Sequence, residues 1–294
     1  MSTPITPRRE LGRTGFVATN VGVGDLADAT LGLEECVRIA RRALDAGLNV
    51  IDTAPAYENG LSEQIVGAAV RDRRDRVFVI DKIDDLDAPV TPQIDKSLAT
   101  LGLAQTDLFV FHNLSSVEKW GRIAEPGGAM EELAACVAAG KARFGGISSH
   151  HPDVLIAAIP SGLCDVVMFP LGPHIDARYR DEVLPLAKKH GVGVVSFKTF
   201  GAGMLLGDTA GYGKPIEGPG GKPRLSVEEC VRYTLGLDPD VALLGMSTEP
   251  EQDAALDAVR AYKPLEDDAR DDVVKRAAKA IEGKGPVWWN PSRR

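Results

Sequence analysis

The sequence predicts an α/β chain closed into a (β/α)8 barrel of the TIM type, preceded by an N-terminal β-hairpin and followed by a C-terminal tail. Eight short β-branched apolar runs alternate with longer segments of helical period. The runs are apolar throughout rather than alternating, as strands buried on both faces must be. No linker divides the 294 residues, a length that one barrel fills, so residues 1–294 are expected to form a single domain. A doubly wound open sheet is the second architecture that this alternation permits.

The elements follow in order. "RELGRTGFVATNVGVG" holds two short extended stretches about "GRTG", a hairpin turn composition. "NVGVG" is the first barrel strand, and a helix runs from about Leu33 to Ala46, stopped by Gly47. "VID" then leads to a helix from Ser62, and "VFVIDK" to one opening "TPQID", with Thr91 as N-cap and Pro92 at the first helical position. "LFVFH" precedes a helix near 129–138, and "FGGISS", "DVVMF", "VGVVSF" and "VALLGMS" complete the strands, each trailed by a helical segment. Ser226 and Glu229 have capping-box spacing at the seventh helix, and the eighth begins near Pro250.

Composition excludes several classes of function. With 44% hydrophobic and 26% charged residues the chain has material for a core, and its formal charge of −8 opposes a sequence-independent grip on nucleic acid or anionic membrane. "MSTPITPRRE" lacks an apolar signal core and no apolar stretch reaches membrane-spanning length, so the expected compartment is the cytoplasm. Cys36, Cys136, Cys164 and Cys230 are widely spaced and read as buried thiols. The adjacent His150 and His151 have no carboxylate or cysteine at ligand spacing, and no metal site is expected.

In a parallel barrel the residues just past the strand C-termini converge on one rim, where such enzymes keep their chemistry. The second strand brings Asp52 and, from its loop, Tyr57; the third Lys82; the fourth His112; the fifth Ser148 and Ser149; the seventh Phe197 and Lys198. Singly, each has a structural explanation: a cap, a snorkelling lysine, a hydrogen-bonded core histidine, a half-buried aromatic. Together they make a unit. A phenol of pKa about 10 is a poor proton donor near neutrality, but a buried ammonium beside it stabilises the phenolate, and a carboxylate keeps that ammonium charged. A neighbouring histidine can hydrogen-bond a substrate oxygen, holding a carbonyl against the phenol. No side chain supplies hydride, so the arrangement calls for a nicotinamide cofactor, with Phe197 against its ring and Ser148 and Ser149 for its carboxamide.

At these residues the chain resembles the aldo-keto reductase family. "IDTAPAY", "VFVIDK", "LFVFH", "GISS" and "LLGMSTEPEQ" occur in the family's order, and the likeness runs from the "ELGRTG" hairpin to the last helix. The resemblance implies that Asp52, Tyr57, Lys82 and His112 are the catalytic residues, with Tyr57 as general acid in reduction and general base in oxidation. It implies NADP or NAD as cofactor, a small carbonyl or sugar as substrate, and a monomer. It also exposes departures: Ser149 where the family usually has Asn, Met168 where it has Gln, and Met246, Gln252 and Leu256 where Lys, Arg and Asn grip the 2′-phosphate and adenine, with Ser247 retained. Glu249 nearby would repel a phosphate and accept from a free ribose hydroxyl, which makes NADH an alternative to the NADPH that the resemblance implies.

The long "FGAGMLLGDTAGYGKPIEGPGGKP" segment reads as a lid over the pyrophosphate, with Gly201 and Gly203 at its start and Lys214 or Lys222 available to the anion. Trp120, placed in the loop after His112, and Asp25, past the first strand, are assigned to the substrate pocket. Trp288 and Trp289 fold the tail back, with contact to substrate and simple anchoring both open. His150 and His151 are expected at a helix entry, and His174 and Arg178 are weaker substrate candidates. Three functional readings follow: an NAD(P)-dependent oxidoreductase acting on an aldehyde, ketone or sugar, including an aldose dehydrogenase working oxidatively; a nicotinamide-binding sensor with little turnover; and a barrel enzyme using the tyrosine without net redox.

Overall fold

A computed structural model of the chain describes residues 4–6, 8–24, 28, 30–217 and 220–290. Strands β1 (Arg9–Glu10) and β2 (Val17–Ala18) pair antiparallel as the hairpin. Eight parallel strands close the barrel: β3 (Val21–Val23), β4 (Val50–Asp52), β5 (Phe78–Ile83), β6 (Leu108–Phe111), β7 (Phe144–Ser148), β8 (Val166–Pro170), β9 (Gly193–Phe197) and β10 (Val241–Leu244), which returns to pair with β3. The closed sheet excludes the open alternative.

Helices α1 (Leu33–Asp45), α2 (Leu61–Val70) and α3 (Val90–Leu101) follow β3, β4 and β5. After β6 come α4 (Val117–Ala124) and α5 (Ala129–Ala138), then α6 (Pro152–Ala158), α7 (Leu184–His190), α8 (Val227–Gly236), α9 (Glu249–Arg260) and α10 (Asp267–Ile281). The Ser226–Glu229 capping box forms, and Thr248 with Glu251 makes a second at α9. No helix among the described residues is long and apolar enough to cross a membrane.

Two expectations are corrected. Thr91 is not the N-cap of α3: the Glu132 carboxylate of α5 accepts from the Val90 and Thr91 N–H groups at 2.9 and 2.7 Å, so a tertiary cap replaces the local one and the helix starts earlier. The segment after His112 is not all loop, because Ser116 caps α4, accepting from Lys119 N–H at 3.1 Å.

Alternation along each strand sorts side chains into two cores. Val50, Phe78, Ile80, Leu108, Val110 and Val195 point into the barrel, whereas Ile51, Val79, Phe109 and Val194 pack under the helices. The hairpin seals the interior from below: Leu11 is fully buried in the inner cluster, and a Cβ at Gly12 would lie 2.2 Å from Gly193 N, so only glycine lets the turn seat. All four cysteines are buried and free. At the other end of the chain the tail folds back, with Trp289 fully buried and its indole N–H donating to His174 C=O at 2.9 Å.

If the hairpin is the barrel's floor, Leu11→Ala leaves a void there. It is expected to lower unfolding free energy by about 3 kcal/mol in urea titration, with little change at the distant rim.

Candidate active site

The same alternation selects which rim residues reach the barrel mouth. Lys82 lies two residues beyond the inward Ile80, Asp52 two beyond Val50, and His112 two beyond Val110, so all three point inward. Asp52 pairs with Ile80 across β4 and β5, which sets its carboxylate beside the lysine on the next strand. Lys82 Nζ donates to Asp52 Oδ1 at 2.7 Å and to Thr53 C=O at 2.6 Å, and lies 4.5 Å from the centre of the Tyr57 ring. Burial opposes the ammonium, but Asp52 and then Tyr57 overcome it, and the lysine pKa is raised above its ordinary value.

Tyr57 opens a tight turn in which Glu58, Asn59 and Gly60 all have positive φ, at 44°, 56° and 86°. Asn and Gly accept this conformation readily; Glu58 adopts it under strain, as turns at functional sites do. The turn delivers the phenol ring edge-on to His112, with centroids 5.7 Å apart. The four sequence-predicted catalytic residues therefore meet.

They border a cavity of about 1200 Å³ that crosses the mouth. Ser148, Met168, Phe197, Lys198, Gly203 and Ser247 also line it, as expected of cofactor contacts. Other expectations are corrected, again by alternation. Ser149 points out of the barrel, its hydroxyl donating to Leu114 C=O at 2.6 Å, and Met246 is buried in the outer core. Gly201 is buried beneath the rim beside Leu205 and Trp289. Trp120 sits on α4 in the core with Ile123, away from the cavity. Asp25 lies outside the described residues.

Among the residues expected near a cofactor's adenine, Gln252 is fully buried and committed, donating to Ile39 C=O at 2.8 Å and accepting from Arg42 at 2.9 Å. Leu256 is buried in the outer core. Glu249 is paired with Arg38 of α1, and Asp253 with Arg42. Glu251, not Glu249, reaches the cavity wall. Lys214 and Lys222 do not line the cavity; the ammonium facing it on this side is Lys198, just past β9, held by Tyr212 and lying 5.8 Å from the Trp288 ring centre. Trp288 lines the cavity while Trp289 anchors the tail. His174 gives only its carbonyl to that anchor, and Arg178 is paired with Asp153 and Asp176.

Several participants gave no signal in the sequence. Asp84, just past β5, contacts the His112 ring at Nδ1 and accepts the Ala56 N–H at 2.7 Å. Burial raises its pKa, but the bonds from His112 and Ala56 outweigh this and hold it below its usual value. Behind Lys82, the wholly buried Asp81 faces outward, accepting the Lys82 N–H at 2.8 Å; burial and Glu63 push its pKa well up. His151 is the N-cap residue of α6, as a helix-entry residue should be, but His150 turns into the cavity, its Nδ1 2.9 Å from Asn113 Oδ1 and its ring 5.1 Å from Phe197.

A closed parallel barrel with a carboxylate, lysine, phenol and imidazole at its C-terminal mouth defines a class of rim-site barrel proteins, and the sequence profile described as "Aldo/keto reductase family" matches residues 21–234. The chain belongs to that family. Among relatives, it is 27% identical to the L-galactose dehydrogenase of Arabidopsis thaliana, over 67% of this chain and 66% of that protein. It is 26% identical to the NADH-specific methylglyoxal reductase of Escherichia coli (strain K12), with the same shares. The alignments thus span just under two-thirds of these relatives' length. In structure it is similar to an aldo-keto reductase from Klebsiella pneumoniae solved with NADPH, with a TM-score of 0.71 and 19% identity over 100% of this chain and 98% of that one.

His150 generates a prediction of its own. Burial, then Lys198, lowers its pKa to about 3 from an ordinary 6.5. A depressed histidine stabilises the fold fully above the unfolded value, and that stability is lost as pH falls through the window from about 6.5 to about 3. Between pH 7 and pH 5 the wild type is expected to lose about 1–2 kcal/mol through this group. Urea midpoints at the two pH values should fall less for His150→Gln.

Proposed function

We propose that the chain is an NAD(P)-dependent oxidoreductase that moves hydride between nicotinamide and an aldehyde, ketone or sugar. The observation that carries this reading is the Lys82 ammonium, held by Asp52 and Thr53 against the Tyr57 ring with His112 beside it. A substrate oxygen placed between Tyr57 and His112 receives the phenol proton in reduction and returns it in oxidation. Lys82 compensates the phenolate that forms, and Asp52 keeps Lys82 charged throughout. Bound nicotinamide supplies or takes up the hydride.

The chain's residues fit that cofactor. The cavity exceeds the usual range for one small ligand, up to about 1,000 Å³, which leaves room for dinucleotide and substrate together. Phe197 offers an aromatic face, Ser148 a hydroxyl for the carboxamide, and Lys198 a charge for the pyrophosphate, with Tyr212 and Trp288 walling the same side. Carboxylates at the substrate side, Glu58, Asp84, Asp85 and Asp87, outnumber Lys119 there and disfavour anionic substrates. An aldose as substrate is consistent with the L-galactose dehydrogenase relative. The sensor reading stands as the outcome if no turnover is found.

For the adenine end we favour NADH. The arginines nearest α9 are already engaged, Arg38 with Glu249 and Arg42 with Asp253, so a 2′-phosphate would have to displace a carboxylate to gain a cation. The NADH-specific relative agrees with this choice.

Nicotinamide absorbance with aldehydes, ketones, aldoses and alcohols tests the reaction. Tyr57→Phe should lower kcat by about 10³-fold, with cofactor Kd changed less than about threefold. Binding of both cofactors without consumption by the wild type would favour the sensor instead. By fluorescence titration NADH should bind about tenfold more tightly than NADPH, and Glu249→Gln, which leaves Arg38 paired with Glu35 alone, should narrow that difference. A wild-type preference for NADPH overturns the NADH choice.

A further inference from the structure

Two buried acids stand behind Lys82, on the side of β5 away from the cavity. Asp81 is wholly buried, and Glu63, in the first turn of α2, nearly so. Asp81 Oδ1 accepts the Lys82 N–H at 2.8 Å, while neither Asp81 Oδ2 nor Glu63 Oε1 meets an N–H or O–H donor. The two side chains nevertheless share a hydrogen bond. Ionised carboxylates only accept, so a bond between two of them requires that one keep its proton. A proton between the two orphaned oxygens satisfies both.

The surroundings favour that state. Burial raises the pKa of each carboxyl, and the Glu63 charge raises that of Asp81 further. The other charges bearing on the pair come as one cation and one anion on each side: Lys82 and Asp52 about Asp81, Lys96 of α3 and Asp84 about Glu63. Neither side supplies the net positive charge that would ionise both acids. The pair also joins the elements that carry the catalytic groups. Asp81 precedes Lys82 on β5, and Glu63 follows the tight turn that presents Tyr57. Thr53 makes a parallel link: its C=O accepts from the Lys82 ammonium at 2.6 Å, and its hydroxyl donates to Ser62, beside Glu63, at 2.9 Å.

We propose that Glu63 and Asp81 hold one proton between them and are positioning residues, fastening the turn of Tyr57 to the strand of Lys82. The catalytic part of this inference rests on the hydride-transfer reading above. Carboxyls raised in this way bind the proton more tightly in the folded than in the unfolded chain. The stability they contribute is complete below the ordinary carboxyl range and is lost as pH rises through the folded value, where two buried carboxylates face each other.

Two measurements test it. Infrared spectra at pH 7, where ordinary carboxyls are ionised, should show a protonated-carboxyl C=O band that both Asp81→Asn and Glu63→Gln remove, because an amide donates to the remaining carboxylate without a proton. A spectrum that neither variant changes in this band overturns the proposal whether or not the protein turns over. The second is steady-state kinetics. Asp81→Leu, which cannot bond Glu63, should lower kcat about tenfold with KM and cofactor Kd changed less than about threefold, and Asp81→Asn should recover most of that loss. As pH rises above 7, kcat and urea midpoint should fall less in Asp81→Asn than in the wild type. A merely structural role would weaken cofactor binding as much as kcat and leave the pH profile of Asp81→Asn like that of the wild type, which overturns the proposal. If Asp81→Leu does not fold, the infrared band and the Asp81→Asn pH profile decide it. Absence of wild-type turnover on any carbonyl or alcohol removes the hydride-transfer reading, and the infrared band and urea midpoints still decide the shared proton.

Discussion

A charged lysine inside a barrel is the constraint on which the rest of this molecule turns. Lys82 is almost wholly buried, and an ammonium so placed is strongly disfavoured unless partners replace its water. Those partners, Asp52 and the Thr53 carbonyl, belong to the neighbouring strand and its exit, so the β4–β5 register must be exact for the charge to survive. A one-residue slip would send Lys82 into the helical layer and Asp81 into the mouth. The register is held from below by the inner core, in which Val50, Phe78 and Ile80 pack with Leu11 of the hairpin. The plug at the bottom of the barrel and the charge at its top thus stabilise one alignment.

The order of strands and helices was legible in the sequence because both faces of each strand are buried, which leaves apolar runs that stand out against the amphipathic helices. The four residues proposed as catalytic were legible because each lies at a strand end or in the loop just after one. What could not be read was anything set by partners far along the chain. Glu132 displaces Thr91 as the cap of α3 from more than forty residues away, and Asp84 looks like one more acid in "KIDDLDAP" until folding brings it to His112. Trp120, expected in a loop, lies instead in a helix that the Ser116 cap and the burial of Ile123 define.

The misplaced cofactor contacts share one cause. Proximity to a strand end is not proximity to the cavity, because alternation admits only every second residue. Ser148 enters and Ser149 does not; Ser247 enters and Met246 does not; Lys82 enters and Asp81 does not. His150, two residues beyond Ser148, keeps the inward parity and reaches the mouth, where it contacts Asn113. Parity counted from the inward Ile80 of β5 and Leu243 of β10, and from the outward Ile147 of β7, separates these residues.

The same parity gives the departures at the rim a physical meaning. Ser149 and Met246 belong to the layer between sheet and helices, where Ser149 bonds Leu114 C=O and Met246 packs with Leu256, so their identities bear on helix packing before they bear on a ligand. The cavity wall is composed instead of Ser148, His150, Met168 and Phe197, and Lys198 is the charged group beside them. Lys198 has a φ of 70° and is held by Tyr212, while Trp288 covers Gly211 so closely that a Cβ there would lie 2.6 Å from the indole. Lys284, fully buried, donates to Met204 and Gly207 carbonyls at 2.7 and 2.6 Å and fixes the same segment from the tail. The glycine-dense stretch is therefore clamped at its base by the last residues of the fold, which places the ordering cost of this wall in folding rather than in ligand binding.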